Sequence, residues 1–238
     1  MRRRARRAPS AATRWSWTCG KTAPCASPVS RWVRARRSRT RPSRTSRGCS
    51  PVAGSSTPRI READAADAAA IADVHVRSWR TAYRGFAPDA YLDAPATAEG
   101  GRVYWQTLFG TAVPGLVTWV AEADGAVLGF VNITPPLAAP APDEVVPPEC
   151  GFLHHIHLAP EAIGRGLGRA LFEVALERLA AQGFAEAVLW VYGPNARARG
   201  FYEAMGWGHD GTVEPHLFRG GGAEAVVPNL RYRGATAR

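Results

Sequence analysis

A glycine-rich segment in the second half of the chain has the composition of an anion-binding turn. Residues 164–168 (GRGLG) stand between an extended segment that ends at Pro160 and a helical pattern that starts near Ala170. Because glycine has no Cβ atom, successive backbone N–H groups can point into one concavity, and the helix that follows adds the positive end of its dipole. We therefore expect this glycine loop (residues 164–168) to hold a diphosphate without help from a lysine.

Two common diphosphate sites are disfavoured by the spacing. A dinucleotide fingerprint needs glycines at positions i, i+2 and i+5, but Arg169 stands at the last position in one register and Leu171 in the other. A P-loop needs a lysine after its glycines, and the sequence from Pro58 onward contains no lysine. Kinase and ATPase chemistry is therefore not expected.

The segments after the glycine loop are predicted to alternate between helix and strand. A strand over residues 151–158 leads into the loop, and the helix behind it ends at Gly183. A buried strand is expected over residues 187–192 and a helix from Asn195 to Gly206. A final antiparallel pair of strands begins at Trp207, and its last strand covers residues 226–233.

The segments before the glycine loop contain two helical patterns and three strands. A short strand over residues 59–62 precedes Asp64, a predicted helix N-cap. The helix that follows has one buried face, formed by Ala68, Ile71, Ala72, His75, Val76 and Trp79. A second helix is predicted from Pro88 to about Phe109. Two strands over residues 117–122 and 126–134 form a hairpin through Asp124 and Gly125. Proline-rich residues 135–149 form a long loop that borders a site.

Charge divides the chain into two parts. Residues 1–57 carry 15 of the 30 basic residues and none of the 20 acidic ones. This tail has no hydrophobic periodicity, so it is predicted to be disordered. It is either an arm for nucleic acid or another anionic surface, or a dispensable extension produced by a start codon set too far upstream.

No membrane span or secretory signal is predicted. No run approaches 18 apolar residues, and no apolar stretch follows the arginines of the tail. A cytoplasmic protein is the default expectation, although an Arg- and Ser-rich start without acids is also typical of an organellar transit peptide. Only Cys150 lies outside the tail, so no disulfide framework is expected.

Residues 158–171 resemble the acetyl-CoA motif of the GCN5-related N-acetyltransferase (GNAT) family. Residues 195–207 (NARARGFYEAMGW) resemble the helix and strand that come next in that family, and residues 75–88 and 229–233 are similar to a common bacterial branch of it. The resemblance spans residues 58–233 in the family's order. It implies an N-acetyltransferase domain over residues 58–238, with a GNAT-like α/β fold in which a mixed, mostly antiparallel sheet of about seven strands is flanked by about four helices.

The resemblance also implies the reaction and the co-substrate. Acetyl-CoA donates an acetyl group to a primary amine by direct attack in a ternary complex, and no metal is expected. The acceptor is a small molecule or peptide amine, no nucleic acid is expected except through the tail, and a homodimer is consistent with the family. A non-catalytic acyl-CoA sensor of the same fold is the alternative. The implied cofactor-binding residues are Leu158, Ile163, Gly164, Arg165, Gly166, Leu167, Gly168, Arg169 and Asn195.

One residue of the motif departs from the family pattern. Ile163 stands where the family usually has Gln or Arg. Because the site works mainly through main-chain N–H groups, this change is expected to weaken binding rather than abolish it.

Acetyl transfer needs an oxyanion stabiliser, a proton for the departing thiolate and a neutral amine. The backbone N–H of Leu158 is the expected oxyanion stabiliser, and Tyr202 stands at the family's general-acid position. The family often has a glutamate early on the strand, where this chain has Phe152. His154 is therefore one candidate base, and Glu149 at the entrance of the strand is the other.

The acceptor and metal predictions rest on fewer residues. Trp79, Tyr83, Arg84 and Phe86 lie where the family's first two helices meet and cover the substrate. The excess of acids in the domain favours a cationic acceptor, whereas Arg84 would suit a carboxylate on it. His155 and His157 alternate like a zinc pair, but a third ligand is not evident.

Overall fold

The computed structural model describes residues 57–111, 113–134 and 144–237. The predicted disordered tail lies outside this range except for its last residue, as does most of the proline-rich loop. Within the described residues the helices are α1 (Ala68–Ala82), α2 (Asp89–Leu92), α3 (Pro95–Gly110), α4 (Leu167–Ala181) and α5 (Ala196–Ala204). The strands are β1 (Arg59–Glu62), β2 (Val117–Ala123), β3 (Ala126–Thr134), β4 (Gly151–Leu158), β5 (Glu186–Tyr192), β6 (Gly208–Gly220) and β7 (Ala223–Ala235).

The seven strands form one sheet in the order β1-β2-β3-β4-β5-β7-β6. Every neighbouring pair is antiparallel except β4 and β5, which run parallel. The predicted mixed, mostly antiparallel sheet is confirmed. The β4–β5 ladder holds only at Gly151–Ala187 and Phe152–Val188. Beyond those pairs the two strands diverge, and the sheet opens between them.

The helices cover both faces of the sheet. His157 of β4 contacts His75 of α1 through their rings, 4.6 Å apart, whereas the next residue, Leu158, lies against Gly168 of α4. Because adjacent strand residues point to opposite faces, α1 and α4 lie on opposite sides of β4. The hydrophobic core that the helices form with the sheet includes Trp105 and Phe172, both fully buried.

The single helix predicted from Pro88 to about Phe109 is wrong. The structure has α2 and α3 instead, separated at Asp93 and Ala94. Ala94 has φ −60° and ψ 132°, because the ring of Pro95 disfavours helical backbone in the residue before it. Pro95 then occupies the first turn of α3, where no N–H is needed.

The predicted hairpin between β2 and β3 is confirmed. Asp124 has φ 51° and Gly125 has φ 76°, as a type I′ turn requires. The register places Ala123 opposite Ala126, so only two residues form the connection.

Asp64 caps a short 3₁₀ turn that leads into α1 rather than α1 itself. Its side chain accepts a hydrogen bond from the N–H of Ala66, and the N–H of Asp64 donates one to the side chain of Asp67. This capping box fixes where α1 starts and therefore which α1 residues reach the opening between β4 and β5.

Candidate active site

A cavity of about 470 Å³ lies at the point where β4 and β5 diverge. Its described walls come from α1, β4, the glycine loop, the start of α4, β5, α5 and one residue of β7. One end, the cofactor end, is formed by the glycine loop and the first turns of α4 and α5. The other, the acceptor end, is formed by α1, Glu144 and the middle of β4. Predicted residues that line the cavity are Trp79, Tyr83, His154, Leu158, Ile163, Gly164, Gly166, Gly168, Arg169, Asn195 and Tyr202.

The glycine loop has the backbone conformation that only glycine adopts without strain. Gly164 and Gly166 both have φ 81°, and Gly166 is the N-cap of α4. Since Gly166 has no side chain to cap the helix, the first-turn N–H groups of α4 stay available to an anion. Arg165 does not line the cavity, and Leu167 turns into the core with 8% exposure. These two residues contribute through main-chain conformation and packing.

The N–H of Leu158 faces the gap between β4 and β5. The next residue, Ala159, donates its N–H to the carbonyl of Leu128 at 2.9 Å, toward β3. Because N–H groups alternate sides along a strand, that of Leu158 points away from β3. The β4–β5 ladder ends at Phe152, so β5 does not reach this N–H.

Helix α5 places Asn195 and Tyr202 on the cavity wall. The side-chain oxygen of Asn195 accepts a hydrogen bond from the N–H of Ala198 at 3.2 Å and thereby caps the helix. Tyr202 is buried, and its ring lies 5.9 Å from that of Phe172. Burial raises the pKa of Tyr202, so its hydroxyl keeps its proton at neutral pH.

A β-bulge brings His154 into the cavity wall. The β3–β4 register passes from Ile133–Leu153 to Asn132–His155, so His154 is the extra residue. Its Nε2 lies 3.5 Å from Oε2 of Glu144, and its ring lies 3.7 Å from that of His155. Burial and nearby His157 lower the pKa of His154 to about 3, so the imidazole is neutral near pH 7.

Glu149 lies outside the cavity. Its side chain is 64% exposed, and a carboxylate oxygen is 3.9 Å from Nη2 of Arg233. Glu144, five residues earlier, lies in the wall with a side chain only 19% exposed. Sequence reasoning missed Glu144, although it expected the proline-rich loop to border a site.

The four predicted acceptor residues separate into two pairs. Trp79 and Tyr83 line the cavity, with ring centroids 5.5 Å apart. Arg84 is exposed and forms ion pairs of 3.0 Å with Asp89 and 2.8 Å with Asp93. Phe86 packs against Tyr83, at 5.3 Å between ring centroids. Neither Arg84 nor Phe86 lines the cavity.

A cluster of histidines supports the acceptor end, with His75 buried and His155 and His157 partly buried. The Nδ1 of His75 accepts a hydrogen bond from Nε1 of Trp105 at 3.1 Å, and Nδ1 of His157 lies 3.0 Å from the hydroxyl of Ser78. Burial lowers the pKa of His75, His155 and His157, that of His157 to about 3. The described residues include no group of three or more metal-ligating side chains that could hold a metal ion.

Several other cavity residues were also missed. They approach from α1, β5 and β7: Ser78, Trp190, Tyr192 and Asn229. His155 and His157, which the sequence suggested only as a zinc pair, also line the cavity. These residues lie far apart in sequence, and only the folded chain brings them together. In the part of the chain that the structure describes, no helix has the length and apolar character needed to span a bilayer.

Comparison with known proteins identifies the family. A model of the acetyltransferase (GNAT) family matches residues 75–207. The uncharacterized N-acetyltransferase YuaI of Bacillus subtilis is 32% identical over 146 residues, which cover 61% of this chain and 77% of that protein. A mycothiol acetyltransferase of Beutenbergia cavernae is 40% identical over 86 residues, 36% of this chain. This chain spans only 26% of that relative's length.

A solved structure shows the same fold. The PaiA N-acetyltransferase of Thermoplasma acidophilum, in complex with coenzyme A, has a TM-score of 0.56 at 17% identity and covers 76% of this chain and 99% of its own. The fold, the matched segment and the order of the motifs agree. The chain belongs to the GNAT family of N-acetyltransferases.

Proposed function

We propose that this protein transfers the acetyl group of acetyl-CoA to a primary amine by direct attack, with both substrates in the cavity between β4 and β5. The observation that carries the proposal is the composition of that one cavity. Its cofactor end has an anion-binding loop, and its acceptor end has a carboxylate and aromatic walls. The catalytic unit is residues 58–238, and a cytoplasmic location and a homodimer remain predictions.

The glycine loop fits the diphosphate of the co-substrate. Gly164 and Gly166 adopt left-handed backbone, and the first turn of α4 presents N–H groups that no side chain caps. Arg169 and Arg197 add positive charge at the same end of the cavity. Acetyl-CoA supplies the activated thioester, and the residues of this chain hold it by its diphosphate.

The N–H of Leu158 is our choice for stabilising the oxyanion that develops on the thioester carbonyl. It faces the gap in the sheet, and its position is fixed because Ala159 is hydrogen-bonded to Leu128. A rigid donor needs no reorganisation when charge develops on the carbonyl oxygen.

Tyr202 is our choice for the acid that protonates the departing thiolate. It lines the cavity, and burial keeps its hydroxyl protonated. A protonated donor held in contact with a thiolate can return the proton that the thiol needs.

Glu144 is our choice for the group that takes the proton of the amine. His154, a predicted base, has a pKa lowered to about 3 and is therefore a weak proton acceptor. Glu149, the other predicted base, is exposed and outside the cavity. The carboxylate of Glu144 lies in the cavity wall, with Oε2 3.5 Å from Nε2 of His154.

A Tyr202→Phe variant tests this function. We expect the rate of thiol release from acetyl-CoA in the presence of amines to fall by about 100-fold, with acetyl-CoA affinity changed little. Tyr232→Phe is the matched control, because Tyr232 packs 6.0 Å from Tyr202 and donates its hydroxyl to Glu203 outside the cavity. If the unmodified protein binds acetyl-CoA but no amine promotes thiol release, the chain is an acyl-CoA sensor and the proposal fails.

A further inference from the structure

Charge is distributed unevenly along the cavity. Among the described lining residues Glu144 is the only carboxylate, and it stands at the acceptor end. The arginines among those residues are Arg169 and Arg197, in the first turns of α4 and α5 at the cofactor end. Among the described lining residues, positive charge therefore lies at the cofactor end and the carboxylate lies at the acceptor end.

The carboxylate of Glu144 sits beside a neutral partner. Its Oε2 is 3.5 Å from Nε2 of His154, whose buried imidazole is uncharged near neutral pH. Because the Glu144 side chain is only 19% exposed, water screens its charge less than it would screen a surface carboxylate.

Aromatic rings form the wall next to Glu144. The ring of Tyr83 lies 5.5 Å from that of Trp79 and 5.1 Å from that of Tyr192, and all three residues line the cavity. Glu144 is near enough to Tyr83 to raise the pKa of its hydroxyl, although burial is the larger cause. Aromatic faces attract ammonium groups and also bury apolar carbon.

The one arginine that was expected to receive a carboxylate on the acceptor does not reach the cavity. Arg84 is held outside by Asp89 and Asp93. A carboxylate on the carbon that bears the amine would be brought close to Glu144, and like charges in a partly buried site repel strongly.

We infer that the acceptor is a cationic amine with an apolar or aromatic body and no carboxylate on the carbon that bears the amine, and that Glu144 selects it by binding the ammonium group. This inference rests on the proposed function and deepens it. Trp79, Tyr83 and Tyr192 receive the apolar body of the acceptor. Free α-amino acids are therefore disfavoured as acceptors.

Calorimetric titration of the full chain loaded with coenzyme A tests the inference without a requirement for turnover. The probes are 2-phenylethylamine, L-phenylalaninol and L-phenylalanine, which share one aromatic body. Phenylalaninol keeps the ammonium group and carries a hydroxymethyl group where phenylalanine has its carboxylate. We expect the first two to bind and phenylalanine to bind at least about tenfold more weakly.

Glu144→Gln is the matching variant, and Glu177→Gln is its control because Glu177 is an exposed residue of α4 outside the cavity. We expect only the first to weaken phenylethylamine binding, by about tenfold. Equal affinity for phenylalanine and phenylalaninol, no binding of any amine, or equal losses in the two variants would overturn the inference. Amine binding without thiol release from acetyl-CoA would instead contradict the proposed function and leave the binding preference intact.

Discussion

The two ends of the cavity are constructed differently. The cofactor end comes from the glycine loop and the first turns of α4 and α5, and it relies largely on main-chain groups. The acceptor end is assembled from side chains of α1, Glu144, β4, β5 and β7, which lie far apart in sequence. A main-chain site needs glycines at fixed positions, whereas a side-chain site can be rebuilt one residue at a time. Because the two ends depend on different residues, side chains at the acceptor end can change while the glycine loop stays the same.

Acid should affect the acceptor end most, through its buried histidines. His154 and His157 have a folded pKa of about 3, against about 6.5 when unfolded. Between these values the unfolded chain binds more protons, so stability falls as pH falls below 6.5. From pH 7.5 to pH 5 the two residues together should lower the free energy of unfolding by about 4 kcal/mol, at about 1.4 kcal/mol per pH unit for each.

Urea denaturation at the two pH values measures this loss. In a His157→Asn variant the loss should be smaller by about 2 kcal/mol, because the contribution of that one group is removed. His75 and His155, whose pKa values are also lowered, add to the same slope. A free energy of unfolding that stays constant between pH 7.5 and pH 5 would show that the cluster is not buried as described.

Removing the charge of Glu144 should have the next largest effect. In Glu144→Gln the acceptor end keeps its shape but loses the carboxylate that we propose as the proton acceptor. We expect kcat/KM for an amine to fall by about 100-fold while acetyl-CoA affinity is unchanged. Steady-state kinetics with each substrate varied separately measures both. A loss of acetyl-CoA affinity of similar size would show that the two ends are not independent.

A substitution in the glycine loop should weaken acetyl-CoA binding and leave amine binding unchanged. Gly166 has φ 81° and no heavy atom within 4 Å of an added Cβ, so Gly166→Val is strained by its backbone rather than by a clash. We expect the Kd for acetyl-CoA to rise by about tenfold, measured by calorimetry. Binding of 2-phenylethylamine to the coenzyme A-saturated variant should be unchanged.

Gly168→Ala is the matched control and has the smallest expected effect. Its backbone is not left-handed, and an added Cβ would lie 3.5 Å from Cδ1 of Leu158, an ordinary van der Waals distance. We expect the Kd for acetyl-CoA to change by about twofold or less. If Gly168→Ala weakened binding as much as Gly166→Val, close packing rather than backbone conformation would govern this end.

Sequence reasoning succeeded where the determinants are local. The predicted bounds of β4 match the structure, and the turn at Asp124 and Gly125 follows from residue type. The glycine loop was also placed correctly between its strand and helix, because its function depends on consecutive residues.

It failed where the determinants are tertiary. The bulge that adds His154 to the wall depends on the register with β3, and the strand's own alternation gives no sign of it. Glu144 lies in the proline-rich segment 135–149, which predicts only a loop, and His154, whose ring it approaches, is ten residues away. Arg84 looked suited to a ligand carboxylate, but Asp89 and Asp93 engage it on the surface.

In the proposed reaction the two ends of one cavity act together, and the amine attacks acetyl-CoA directly. Initial rates of thiol release, with acetyl-CoA and 2-phenylethylamine varied together, test direct attack. Intersecting double-reciprocal lines are expected, because both substrates must be bound before the acetyl group moves. Parallel lines would indicate a covalent acetyl-enzyme and would contradict direct attack.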